Sequence, residues 1–348
     1  MTRPMAATLH PTCEFNATRD VVFAHEADGF EKVLHVFDAN WHGIRSASGC
    51  CPGHKLAISN EQPLDGEAYR HAIGLIHHYG IKRVVFQGYS WVANELAITL
   101  RREFGEDLQL YAITHVTSAQ FENHFEMDMQ FAITDGLRKG VLRRAASVKP
   151  QFYSVVPDTW EHLIVNFAPN ISKNRRSAVV DTRAIFIPVE NSWRKNLYTN
   201  ILAALPVAEI DVIYSVNWPT GLDKMADLGK VKVAPFRSGR DLFAFMGSLG
   251  ALMNVTLAEC QPMTQLEGLA VGTPSLTGAL RIEEFKDDPL MPLVEVESLD
   301  NPHHIGNALS RLLKMRRDDP SELAQMIDGH LENRHKLAVE RYADFLEL

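Results

Sequence analysis

Two glutamates, Glu259 and Glu267, stand eight residues apart in NVTLAECQPMTQLEGLAVGTPSLTG, residues 254–278. The run NVTLAE predicts a buried strand ending on Glu259, Pro262 a turn, Met263 the start of a helix, and Gly-Thr-Pro a turn into another short strand. A helix beginning there aims free backbone N–H groups and a positive dipole end at the carboxyl edge of the sheet, where open α/β folds hold phosphate. The two carboxylates then flank an anion site. They would repel a phosphate unless they held something else as well, and hydroxyls suit them, because one carboxylate accepts two such bonds. A sugar nucleotide supplies both kinds of group. Taken singly, Glu259 reads as a strand-end residue and Glu267 as an ordinary helix residue; strand, turn, helix and Gly-Thr-Pro together point to a ligand.

Short apolar runs that alternate with longer amphipathic stretches must position these residues, which is the pattern of a parallel sheet covered by helices. It occurs twice. Strands are predicted over 32–38, 82–88, 109–115 and 131–134, with helices over 65–79 and 90–104. The second series has strand AIFIPV (184–189), helix NLYTNILAAL, strand DVIYSV (211–216), strand KVKVAPF and then NVTLAE. VNFAPNISKNRRS, polar and rich in turn formers, reads as the hinge. The expectation is therefore α/β, with two Rossmann-like domains facing a cleft, residues 1–175 and 180–320, and a helical segment over 321–348 with Ser321 as its N-cap.

The size of 348 residues supports two domains, since one hydrophobic core stops growing at about 250–300. With 46% hydrophobic and 22% charged residues the composition is that of a globular protein, and no run approaches the ~18 apolar residues that read as a membrane span. Cys13, Cys50, Cys51 and Cys260 lack metal-ligand spacing and read as the reduced thiols of a cytoplasmic protein. A net charge of −8 argues against a surface devoted to nucleic acid, although basic groups stand at Arg138, Lys139, Arg143 and Arg144, at Lys173, Arg175 and Arg176, and at Lys314, Arg316 and Arg317. No G-x-G-x-x-G follows a predicted strand, which disfavours a dinucleotide oxidoreductase.

The segment ECQPMTQLE followed by GLAVGTPSL resembles the donor-site motif of the retaining GT-B glycosyltransferases with a Glu-x7-Glu signature. That resemblance implies that Glu259 holds hydroxyls of the transferred sugar, that Glu267 holds the ribose, and that backbone amides at Met263, Thr264 and Gln265 meet the diphosphate. PVENSWRKNLYTNILAAL is similar to the segment where this family places the cations that stabilise the departing diphosphate, which singles out Arg194 and Lys195. Two cations at a helix N-terminus oppose its dipole, so helix stabilisation alone explains them poorly. VAPFRSGRDLF lies where the family seats the base, implicating Phe236 and Arg237, or is a surface turn before a helix capped at Ser238. QLYAITHVTSAQF resembles the strand ending in a histidine that faces the sugar, here His115.

DANWHGIRSASGCCPGH departs from the family, replacing a Gly-Gly loop; it is either a long surface loop or a segment whose Trp41, His42 and Arg45 line an acceptor pocket. The resemblance implies retaining transfer from a nucleotide-diphosphate sugar, UDP ahead of GDP, to a hydroxyl of a saccharide, with no obligatory metal. Alternatives are a hydroxymethylated DNA base as acceptor, a nucleotide-sugar epimerase, or a sugar-nucleotide-binding subunit without catalysis.

Overall fold

The computed structural model describes residues 8–9, 24–156, 158–171 and 179–348. Cys13, the basic group at Lys173, Arg175 and Arg176, and part of the expected hinge lie outside them. Of the described residues, those up to Asn170 together with His335–Leu348 form one compact unit, and those from Ile171 to Arg334 form the other.

The first unit is built on six strands, β1 (Thr8–Leu9), β2 (Val33–Asp38), β3 (His54–Ile58), β4 (Arg83–Gln87), β5 (Gln109–Thr114) and β6 (Arg144–Ser147). Their spatial order is β1-β3-β2-β4-β5-β6, all parallel except β1 against β3. Helices α1 (His42–Cys50), α2 (Gly66–Tyr79), α3 (Trp91–Phe104) and α4 (His124–Arg138) connect them. Asp65 caps α2 by accepting from the amides of Glu67 and Ala68, and Ser90 caps α3 through Ala93, so both predicted helix starts have a local cause. Leu34, Phe86, Ala112, Leu96 and Leu100 are buried together between sheet and helices.

Three features of this unit differ from the sequence expectation. Residues 131–134 lie inside α4, not in a strand: Asn123 caps the helix, Met129 and Ile133 are buried one turn apart, and Phe131 is 65% exposed. A four-residue apolar window does not distinguish the two periods. Strand β3 escapes the pattern because it begins with His54 and Lys55, yet both side chains are buried; the Lys55 ammonium donates to the carbonyls of Cys51 and Gly53. Residues 42–50 form α1, so the segment after β2 is no surface loop.

The second unit carries β7 (Asp181–Ile187), β8 (Val212–Ser215), β9 (Val231–Val233), β10 (Leu249–Asn254), β11 (Ser275–Gly278) and β12 (Glu295–Val296), all parallel, in the order β12-β11-β10-β7-β8-β9. Its helices are α5 (Leu197–Ala204), α6 (Gly239–Gly247), α7 (Met263–Ala270), α8 (Met291–Val294), α9 (Pro302–Asp318) and the first half of α10 (Pro320–Leu346). Ile185, Ile187, Met253, Ile201 and Leu309 share its core. The segment expected over 321–348 is one helix that starts at Pro320, so Ser321 lies within it; it counts with the second unit up to Arg334 and with the first from His335. Among the described residues no helix is long and apolar enough to cross a membrane.

Strand β10 stops at Asn254, so NVTLAE is mostly a loop and Glu259 stands five residues beyond the strand. Every residue of α7 except Thr264 is buried, and Gly268 lets the helix lie on β10: a Cβ there would sit 2.5 Å from Leu252 Cδ1 and 3.2 Å from the Thr273 carbonyl oxygen. Replacing Gly268 by alanine should therefore destabilise the protein by up to about 2 kcal/mol, an overpacking cost of about 1–3 kcal/mol less the ~1 kcal/mol gain in helix propensity. Urea unfolding should show a lower midpoint at unchanged slope.

Candidate functional site

In the second sheet the strand order reverses between β7 and β10, and the crevice outside the carboxyl ends of such a pair is where open α/β sheets bind ligands. The residues singled out in the sequence leave from these two strands. After β7 the chain forms a single 3-10 turn, Trp193–Lys195, and only then α5; Arg194 and Lys195 thus precede the helix rather than opening it. Asn196 joins turn to helix at a left-handed φ of 58°, a conformation asparagine tolerates better than most residues.

Two backbone segments are tied together here. The Arg194 carbonyl accepts from the Leu257 amide at 2.9 Å, and the Arg194 guanidinium donates to the Ala258 carbonyl at 2.9 Å. From α5, Asn200 donates to the Val255 carbonyl at 2.8 Å and accepts from the Val255 amide at 3.1 Å, standing in for a strand neighbour; Asn196 donates to the carbonyls of Leu299 and Val255. Neither asparagine was singled out in the sequence. The available signal is a polar residue on the buried face of an apolar helix: Asn200 is fully buried.

This frame holds the charges. Lys195 Nζ lies 2.8 Å from Glu259 Oε2, and an Arg194 guanidinium nitrogen lies 3.7 Å from the same oxygen. All three side chains are about four-fifths buried, with 19%, 22% and 17% of Arg194, Lys195 and Glu259 exposed, so their interactions are screened less than surface pairs. Two cations thus face the Glu259 carboxylate.

Three residues beyond Glu259 stands Pro262, the N-cap of α7, which makes no side-chain capping bond. Its carbonyl accepts from the amides of Gln265 and Leu266, so Gln265 is not a backbone donor to a ligand as expected; Met263 and Thr264 are the remaining positions at this terminus. The Thr264 hydroxyl accepts from Asn254 at 3.3 Å. Glu267 follows one turn along α7 and is buried, 9% exposed. Phe236 and Arg237 follow β9, two strands from β7, which places their loop about 10 Å along the same edge. Phe236 is 88% exposed, whereas the Arg237 guanidinium lies over the Phe245 ring at 4.0 Å. Ser238 stands at the N-cap of α6 without a capping bond from its side chain.

In the first unit the order reverses between β2 and β4. Trp41, the N-cap of α1, packs edge-on against Phe125, and the Arg45 guanidinium donates to His42 Nδ1 and the Ala39 carbonyl. Gly88, at φ 72°, leaves space for Trp41: a Cβ would sit 3.2 Å from its ring and 2.8 Å from Ile44. His115 lies just past β5, and its Nε2–H donates to Gln87 Oε1 at 2.9 Å. With that oxygen as acceptor, the Gln87 amide donates to His35 Nδ1 at 3.0 Å and to the Tyr342 hydroxyl, and His35 Nε2–H donates to the Pro52 carbonyl. Gln87, fully buried, is the residue that orients His115.

This chain needs both imidazoles neutral. Burial lowers His115 to about 4; burial, reinforced by the positive Lys55, lowers His35 to about 3. Between the unfolded value near 6.5 and these folded values, the unfolded chain takes up protons that the folded network refuses. Stability present at pH 7 should thus be lost on acidification toward pH 4, by up to about 1.4 kcal/mol per pH unit for each histidine. Urea titrations at pH 7, 6 and 5 should show this fall, with a shallower dependence on pH in His115→Gln; equal dependence would mean that His115 takes up its proton as readily in the native state as in the unfolded one.

No family model and no curated protein matches the chain. Solved structures do. Sucrose-phosphate synthase from Thermosynechococcus elongatus superposes with a TM-score of 0.54 at 15% identity, covering 89% of this chain and 87% of that one. The UDP-forming α,α-trehalose-phosphate synthase from Burkholderia vietnamiensis gives 0.52 at 11% identity, with 90% and 99% covered. A mutant of S. aureus TarM in complex with fondaparinux, α-GlcNAc-glycerol and UDP gives 0.52 at 11% identity over 76% of this chain; the match spans 55% of the TarM chain. At such identities the likeness shows the fold: two parallel-sheet α/β domains of the GT-B type.

Proposed function

We propose that this chain is a glycosyltransferase that moves a sugar, with retention at its anomeric carbon, from a nucleoside-diphosphate sugar to a hydroxyl of a saccharide. The observation that carries the reading is the meeting, at the switch point of the second sheet, of the basic turn after β7 with the loop after β10 that leads to the uncapped end of α7. One side chain of either sign is common at a sheet edge; two cations, a carboxylate and a helix N-terminus tied together by backbone bonds suit a diphosphate bearing a sugar. The similar structures add to this, since one is a UDP-forming synthase and another holds UDP.

In this reading Arg194, Lys195 and the amides of Met263 and Thr264 hold the diphosphate, Glu267 the ribose and Glu259 the hydroxyls of the transferred sugar. Phe236 borders the base. The bond from the anomeric carbon to the phosphate oxygen breaks as the acceptor oxygen bonds to the same face of that carbon, and the acceptor proton passes to the departing phosphate. Charge grows on the diphosphate during this step, where preorganised cations act most strongly. Ion pairing with Glu259 preorganises Lys195 in the absence of donor. His115, neutral and hydrogen-bonded to Gln87, is assigned to the transferred sugar, and Trp41, His42 and Arg45 to the acceptor.

A thermal-shift series with UDP, GDP and their sugars tests the donor assignment. A ligand that binds only the native state at a hundredfold excess over its Kd stabilises by about 2.7 kcal/mol, and the expected result is stabilisation by UDP that Glu267→Ala abolishes. No shift with either nucleotide contradicts the reading. For turnover, Lys195→Ala and Arg194→Ala should each lower kcat by about a hundredfold or more, the scale of losing one donor to a developing anion. Steady-state kinetics on a transferred sugar check this, and unchanged kcat in both variants removes these residues from the leaving-group role.

A further inference from the structure

The loop that carries Glu259 to α7 is also gripped from the far end of the sequence. Arg334 on α10 is 2% exposed, and its guanidinium donates to Oε1 of Gln261, itself 5% exposed. Gln261 stands two residues after Glu259 and two before Met263. The same guanidinium lies 5.4 Å from the centre of the buried Phe285 ring, a cation–π distance. One turn earlier on α10, His330 Nδ1 lies 2.8 Å from Asp288 Oδ2, with 3% and 6% of the two side chains exposed, and its ring meets Phe285 edge-on. The rotation and register of α10 at Arg334 are thereby fixed against the second unit.

Burying a guanidinium is expensive, and an apolar residue of similar volume packs such a site at least as stably. Burial drives the Arg334 pKa down to about 9, so the group is still charged at neutral pH. Stability is therefore a poor account of its presence, and the group it holds is a better one.

We propose that Arg334 is a positioning residue of the donor site: through Gln261 it fixes the turn between Glu259 and Met263, and so the placement of the sugar-binding carboxylate relative to the amides that meet the diphosphate. The proposal rests on the donor-site reading above. It also places the grip on the last residue of α10 that counts with the second unit, the helix continuing from His335 into the first.

The test uses the full chain, with Arg334→Met, Arg334→Lys and Gln261→Leu; Arg334→Met removes the buried charge together with the donor and decides, by the same readouts, in the case in which Gln261→Leu, which leaves the guanidinium beside an apolar side chain, does not fold. UDP affinity is read by calorimetry and amide hydrogen exchange over residues 257–265. Gln261→Leu and Arg334→Met should weaken UDP binding about tenfold, while Arg334→Lys, which keeps a donor facing Gln261, should stay within about threefold. Exchange in the loop should accelerate about tenfold in Gln261→Leu, with the exchange of strands β7 and β10 unchanged. Wild-type UDP affinity together with wild-type loop exchange in folded Gln261→Leu overturns the proposal. If the wild-type protein binds no UDP, the donor reading fails, and the exchange measurement alone decides whether Arg334 orders the loop.

Discussion

The arrangement of the second unit depends on one carboxylate held between two cations. Glu259, on the segment after β10, faces Lys195 and Arg194 on the segment after β7, and hydrogen bonds from the Leu257 amide to the Arg194 carbonyl and from the Arg194 guanidinium to the Ala258 carbonyl join the two segments. Without Glu259 the two cations would repel across a partly buried space; without the cations the carboxylate would stand beside an anion-binding helix end.

The first unit solves a different problem. At its sheet edge the groups are held neutral instead of charged: His115, Gln87 and His35 form a directional chain in which each donor has a defined acceptor, and burial removes the imidazoles from titration near neutral pH. The division of labour follows from where each sheet leaves its polar residues.

Much of this was legible in the sequence because its causes are local. Asp65 and Ser90 announce helix starts, and Pro262 followed by Met-Thr-Gln and closed by Gly-Thr-Pro announces α7 with its turn. What stayed hidden has causes that residue types in a short window do not carry. Strand β3 opens on His54 and Lys55, and the lysine's charge reads as exposed until the carbonyls of Cys51 and Gly53 are seen to receive it. Residues 131–134 read as a strand because a short apolar run carries no period. The loop after Asn254 reads as more strand because Val255 and Leu257 continue the apolar run, whereas in the fold the Val255 amide and carbonyl pair with the Asn200 side chain and not with a strand. The grip of Arg334 on Gln261 spans 73 residues and has no signature in either segment.

The central claim is that a nucleoside diphosphate lies against Lys195, Arg194 and the N-terminus of α7, and its most direct test is a crystal structure of the full chain grown with UDP. The account predicts diphosphate oxygens within hydrogen-bond distance of Lys195 Nζ and of the Met263 and Thr264 amides, with the ribose hydroxyls on Glu267. A diphosphate bound at another strand edge, or ordered UDP with Lys195 still paired only to Glu259, would contradict it.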